Sequence, residues 1–137
     1  MKTVKSWNVE RVEVPPPYQR TIKVLLAPDI SGIDKFSLSQ AIIFPKSKAD
    51  SHVHDMRELI YMLSGRGYCI SDIDRVELEP DIVLLVEKGE PHQIFNESDE
   101  SMKLLVIFVP PHTAEYLKTR PLNEVNQNKK DSIMNKV

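Results

Sequence analysis

His52-Val53-His54-Asp55-Met56-Arg57-Glu58-Leu59-Ile60-Tyr61-Met62-Leu63-Ser64-Gly65-Arg66-Gly67 is the stretch whose reading decides the fold. Side chains alternate along a β-strand with period two, so an extended segment puts His52 and His54 on one face, their imidazoles side by side and able to chelate one cation. Glu58 offers a carboxylate, but four extended residues carry it roughly 13 Å beyond His54. It can join the same cation only if the chain turns at Asp55-Met56-Arg57 and returns on a neighbouring strand. On a helix the pattern means something else: His54 and Glu58 become i,i+4 neighbours while His52 sits about 200° around the axis from His54, an ordinary surface arrangement. The strand reading is preferred, because Ile60-Tyr61-Met62 runs into Ser64-Gly65-Arg66-Gly67, a hairpin signal, with Tyr68-Cys69-Ile70 beyond.

Outward from this stretch, short apolar runs recur between turn signals. Residues 4–14 alternate loosely through Trp7, Val9, Val12 and Val14 and stop at Pro15-Pro16-Pro17, an early strand followed by a stiff connector. Thr21 to Leu26, Phe36 to Phe44, Tyr68 to Ser71 and Val76 to Leu78 read as strands. Asp81 to Val86 is so apolar that it is expected to be buried on both faces, and Met102 to Val109 is a last long strand before Pro110-Pro111. The pattern predicts an all-β antiparallel sandwich or barrel in residues 1–117. Thr113 to Leu117 reads as a single helical turn, and residues 118–137 read as a polar tail, frayed or weakly helical.

Composition narrows the function classes. The 137 residues suit one domain with one sizeable core, and 41% hydrophobic with 28% charged content is that of an ordinary globular protein. A formal net charge of −2 argues against nucleic acid as the main partner. The single cysteine, Cys69, cannot form an internal disulfide and fits a reducing compartment. The N-terminus lacks a signal-peptide pattern and no apolar run is long enough to span a membrane, so a cytoplasmic location without a membrane partner is expected.

His92 follows a Gly89/Pro91 turn and starts a strand of its own, His92 to Asn96. Two neighbouring hairpins in a closed sheet can aim His52, His54, Glu58 and His92 at one interior point, and such mixed nitrogen and oxygen ligation suits Mn, Fe, Co, Ni or Zn. With these residues in place the sequence resembles the cupin superfamily. Its first motif, Gly-x5-His-x-His-x3–4-Glu-x6-Gly, is met by His52, His54, Glu58 and Gly65, with Lys46 where the leading glycine belongs. Its second, Gly-x5-Pro-x-Gly-x2-His-x3-Asn, is met by Gly89, His92 and Asn96, with Asp81 and Glu87 replacing the first glycine and the proline.

The resemblance implies a two-sheet, jelly-roll-like antiparallel barrel (a double-stranded β-helix) with one divalent metal per chain in its mouth. It further implies a homodimer in which the N-terminal strand, about 4–14, lies on the partner's sheet. Four protein ligands leave open positions for a small oxygenated or carboxylate-bearing substrate, with dioxygenase, decarboxylase or lyase chemistry and Glu58 as a proton shuttle. A non-catalytic binding or sensing module and a sugar-isomerase-like enzyme are the alternatives. Ile60, Met62 and Ile94 share strand parity with the ligands and are expected to line the cavity, with Gln40 and Arg57 as polar candidates and Ser39 and Tyr61 behind them. Asn96 is expected to staple a turn, and His112, without a spacing partner, to lie on the surface.

Overall fold

Strict alternation along the strands sorts side chains into an inner and an outer set, and the chain closes its inner set between two antiparallel sheets. The computed structural model describes residues 1–134, with side chains to Asp131; the last three positions of the expected tail lie outside the described residues. In chain order the elements are β1 (Val12–Val14), β2 (Arg20–Leu26), α1 (Pro28–Ser31), β3 (Ser37–Ile43), β4 (Ser47–Lys48), β5 (Arg57–Ser64), β6 (Gly67–Ser71), β7 (Arg75–Leu78), β8 (Val83–Val86), β9 (His92–Asn96), β10 (Met102–Val109) and α2 (Ala114–Met134). Six strands pair in the order β1-β2-β3-β10-β5-β8 and four in the order β4-β9-β6-β7.

Inner positions follow the expected parity: Ser37, Ser39, Ala41 and Ile43 on β3, Glu58, Ile60 and Met62 on β5, and His92, Ile94 and Asn96 on β9 are all buried. Ile60, Met62, Leu78 and Met102 fill the closed end of the sandwich, and Ile43 and Leu104 of the same cluster reach the cavity. Each such side chain contributes about 1.5–3 kcal/mol through removal from water. The hairpin after β5 needs glycine at Gly65: φ is +84° and a Cβ would sit 2.4 Å from the Ser101 carbonyl oxygen. Asn96 staples the opposite turn, donating to the carbonyls of Ile43, Phe44 and Glu100 and accepting from Ser98.

Two expectations are corrected. The Asp81 to Val86 run is not buried on both faces: β8 is the edge of the larger sheet, and Val83 and Leu85 are 55% and 49% exposed on its outer side. Within the chain β1 pairs with β2, and Trp7 is exposed. The tail after Leu117 is a continuous helix. Its polar composition hid a narrow stripe, Ala114, Leu117, Pro121 and Val125, that is buried and packs α2 against β1 and β2. Thr113 accepts a hydrogen bond from the Tyr116 amide at 3.1 Å, and the Asp29 carboxylate accepts from the Ala114 and Glu115 amides at 2.7 and 3.2 Å. Together they satisfy the first orphan donors of the helix. The boundary expected at residue 117 therefore falls inside α2.

The two positions where the motif glycines are missing, Lys46 and Asp81, are the non-glycine residues with left-handed backbone among those described, at φ 56° and 71°. An L side chain there costs about 1–2 kcal/mol. Asp81 recovers part of it by accepting the Tyr61 hydroxyl at 2.8 Å, whereas Lys46 reaches the Glu97 carbonyl from an exposed position. Lys46→Gly is accordingly expected to stabilise the protein by about 1 kcal/mol, a rise of about 3–5 °C in Tm by calorimetry, and Asp81→Gly by less.

Candidate metal centre

The centre straddles the two sheets. His52 and His92 exchange both backbone N–H···O bonds, each 3.1 Å, in an isolated antiparallel bridge at the edge of the smaller sheet. Directly opposed residues project to the same side, so their rings meet with centroids 4.3 Å apart. The chain then bends at Asp55-Met56 and enters β5 of the larger sheet, which returns Glu58 towards the histidines as the turn argument required. The Gly89 amide donates to the His54 carbonyl at 2.9 Å and ties the second motif's turn to the first.

Three of the expected ligands, His52, His54 and Glu58, offer atoms within 4.8 Å of one another, and His92 meets them at Glu58. The Nε2 atoms of His52, His54 and His92 lie 3.5, 3.5 and 2.8 Å from Glu58 Oε2. Two donors bound to one transition metal at about 2.1 Å and separated by 90–110° are about 3.0–3.4 Å apart, and the distances of His52 and His54 to Glu58 are close to that range. All four atoms are buried without a hydrogen-bond partner; even the short His92 contact lacks hydrogen-bond alignment. Orphaned buried donors are costly unless something is supplied to them, and a cation at their centre would satisfy every one. The remaining ring nitrogens are occupied: His52 Nδ1 donates to the Asp50 carbonyl at 3.0 Å and His92 Nδ1 to the Glu90 carbonyl at 3.1 Å. This leaves each Nε2 as the lone-pair face turned to the centre, the tautomer a metal ligand needs.

Electrostatics point the same way. Burial works against the ionised form of Glu58, yet contacts with His52 and His92 hold its carboxyl well below the usual range. Burial also opposes a charge on His52, but Asp50 and Glu58 outweigh it and push the imidazole up to about 9. Burial pulls His54 down to about 3. Without a cation, one proton shared near His52 and Glu58 supplies the positive charge the cluster calls for; a divalent ion would take its place.

The cavity above the ligands has a volume of about 80 Å³. Of the expected lining residues and polar candidates, Ile94 and Ser39 border it. Ile60 and Met62 have the right parity but lie deeper, in the closed-end core. On β3 the inward residues are Ser39 and Ala41, which turns Gln40 to the outer face. Arg57 is exposed and pairs with Glu87 at 2.8 Å, and Tyr61 bonds Asp81 on the outside. His112 is not a surface residue: its ring stacks on Tyr116 and its Nε2 lies 3.3 Å from His54 Nδ1, holding the third ligand as carbonyls hold the other two.

Four polar residues at the site were missed in the sequence: His112, Arg20, Asp50 and Arg120. Arg20 and Arg120 both pair with Asp50, which in turn lies 3.5 Å from His52 Nδ1. Asp50 was legible in principle, since Asp50, His52 and His54 follow one another at strand parity. Arg120 was not, because its place depends on a helix read as a frayed tail.

A cluster of three imidazoles and one carboxylate, in the mouth of an antiparallel two-sheet sandwich, defines a class of β-fold, and known proteins place the chain within it. Residues 41–108 match the family model described as Cupin domain. A curated relative, an uncharacterised protein of Methanocaldococcus jannaschii, is 33% identical over 95 residues, which is 69% of this chain and 76% of that protein. L-ectoine synthase of Bordetella avium is 27% identical over 68% of this chain and 69% of its own length. Among solved structures, the polyketide cyclase RemF from Streptomyces resistomycificus superposes with a TM-score of 0.70 at 24% identity, over 80% of this chain and 79% of that one. A predicted oxalate decarboxylase from Thermotoga maritima gives 0.69 at 20% identity, over 80% and 99%. The chain belongs to the cupin family.

Elemental analysis of protein purified without added metal checks the centre. About one divalent ion per chain is expected for the wild type and less than about half for His54→Ala. His112→Phe, which removes only the partner of His54 Nδ1, is expected to weaken metal affinity by about 10–100-fold and leave the fold intact.

Proposed function

We propose that the protein is a metal-dependent enzyme acting on a small oxygenated or carboxylate-bearing metabolite, with one divalent transition metal (Mn, Fe, Ni, Co or Zn) held by His52, His54, Glu58 and His92. The observation that carries this reading is the set of buried, unpartnered donor atoms of His52, His54, Glu58 and His92 beside a cavity. A metal bound there supplies Lewis-acid polarisation of a substrate oxygen or activation of dioxygen. The chain's own contribution is to fix the donors and exclude water. Ile22, Leu104, Val106 and Phe108 form apolar walls, and α2 closes over the opening with Leu117 and Pro121. Glu58, held ionised, can accept a proton from a bound substrate when it leaves the cluster, the part assigned to it as a proton shuttle.

Size supports a small substrate. A cavity of about 80 Å³ lies below the range usual for drug-sized ligands. That favours a short acid or diketone over the sugar-isomerase-like alternative. The names of similar structures include a cyclase, a decarboxylase and a sugar phosphate isomerase, and a shared fold does not choose among such chemistries. The non-catalytic alternative, a binding or sensing module, uses the same cavity. A screen of short 2-oxo and 2-hydroxy acids and diketones separates the two. An enzyme shows turnover that chelation abolishes and one equivalent of metal restores; thermal stabilisation without turnover by any compound would leave only the sensing reading.

We also propose that the chain works as a homodimer, and that its location is the cytoplasm. The buried free thiol of Cys69 supports a reducing compartment, and no described helix is long and apolar enough to cross a membrane. For the dimer, the support is the outer face of the six-stranded sheet. There Leu38, Ile107, Leu59 and Leu85 line up across four strands, with Leu105, Tyr61 and Val83 in the next row. An apolar sheet face of this kind marks an association surface. Light scattering is expected to give twice the 15.7 kDa of the chain, and Leu59→Glu, which puts a charge inside the row, is expected to give the monomer.

A further inference from the structure

Outside the ligand set, the cavity holds one other cluster of charge. Arg20, on the inner face of β2, and Arg120, on α2, both border the cavity and both pair with the same carboxylate, Asp50. Two guanidinium groups against one carboxylate leave one net positive charge, in a place where the other walls are almost wholly apolar. A purely structural ion pair would need only one arginine. Arg20 spends one further donor on the Tyr18 carbonyl, while the described contacts of Arg120 all go to Asp50 through its two terminal nitrogens. A guanidinium has five N–H donors, so Arg120 retains N–H groups that the described residues do not engage. Beside mostly apolar walls such donors are strong ligands for a planar anion. Arg120 also sits on the helix that closes the cavity, so an anion held there would link substrate binding to seating of α2.

We propose that Arg120, backed by Arg20 and Asp50, is the specificity-determining anchor for a carboxylate group of the substrate, which makes the substrate class short-chain organic acids. The inference rests on the reading of the cavity as a substrate site, and it narrows "oxygenated or carboxylate-bearing" to the acid. Asp50 has a defined part. It fixes the guanidinium planes and, 3.5 Å from His52 Nδ1, ties the anchor to the first metal ligand, so the two recognition elements keep a constant spacing. Arg120 is a binding residue in this account; Arg20 and Asp50 are positioning residues.

The test is a comparison of pyruvate with its uncharged isostere pyruvamide, titrated calorimetrically into zinc-loaded wild-type protein, Arg120→Gln and Arg120→Lys, with zinc content measured on the same samples. Because a metal also prefers an acid to an amide, the informative quantity is the ratio of the two affinities. The anchor predicts that this ratio falls at least tenfold in Arg120→Gln while zinc content stays at the wild-type level, and that Arg120→Lys, which keeps the charge but not the planar fork, recovers part of it. Asp50 keeps Arg20 as a partner in both variants. Should Arg120→Gln fail to fold, a several-fold fall in the ratio for Arg120→Lys is the required result. An unchanged ratio with zinc bound overturns the anchor and leaves the metal centre standing, as does the absence of saturable pyruvate binding to zinc-loaded wild type. A ratio that falls in protein retaining no zinc overturns the metal centre and leaves the anchor standing.

Discussion

A carboxylate cannot be taken out of water for nothing, and the position of Glu58 governs how the rest of the molecule is arranged. Its side chain is 5% exposed, and an isolated ion at such depth carries a penalty of several kcal/mol. Only a ring of partners makes the site tolerable, and the three Nε2 atoms around Oε2 are that ring. Because the partners come from the edge of one sheet and Glu58 from the other, the sandwich has to hold its two sheets at one separation and register at this end. The mutual backbone bonds of His52 and His92, the bend at Asp55-Met56 and the Gly89 tie to His54 are the means.

The two ends of the sandwich then divide the work. At the closed end, inward residues are large and apolar, and packing there supplies the stability. At the open end the same strands present Ser39, Ala41, Glu58 and Ile94, smaller or polar groups that leave a space instead of filling it. That space would be open to water without α2. Phe108 joins the two regions: it belongs to the cluster of Val24, Ala27, Ala114 and Leu117 under the helix, and its edge packs on the His54 ring with centroids 4.7 Å apart. Docking of the helix and orientation of a ligand are therefore coupled through one aromatic side chain.

How much of this was legible in the sequence follows from what each signal measures. Spacing within a strand reports on faces, so the His-x-His pair, the return of Glu58 and the inward parity of Ile60, Met62 and Ile94 were all readable from residues alone. Depth along a strand is not encoded in parity, and for that reason Ile60 and Met62 belong to the core while Ser39 and Ala41, on a strand twenty residues earlier, border the cavity. An apolar run reports hydrophobicity and not the number of covered faces; Val83 and Leu85 are apolar on an exposed edge strand. The helix was the largest omission. Its stripe of Ala114, Leu117, Pro121 and Val125 is only one residue wide per turn, and its stability comes from β1, β2 and the Asp29 cap, none of which is local in sequence. His112 and Arg120 went unread with it.

Lys46 and Asp81 show which constraint prevails when local and global preferences disagree. Both carry the left-handed backbone that the motif glycines would adopt at no cost. Neither turn relaxes to a more comfortable shape, because each is pinned from outside. The Lys46 amide donates to the Ser98 carbonyl in the turn that Asn96 organises, and the Asp81 amide donates to the Met62 carbonyl on β5. Released, the first turn would free the connector that leads through Asp50 to His52, and the second would free β8 from β5, the strand that carries Glu58. Strain of about 1–2 kcal/mol at each turn is small beside the several kcal/mol of an unpartnered buried carboxylate. Loop chemistry can therefore drift from the motif while the ligand geometry does not, and four matching ligands are a stronger sign of the fold than the glycines around them.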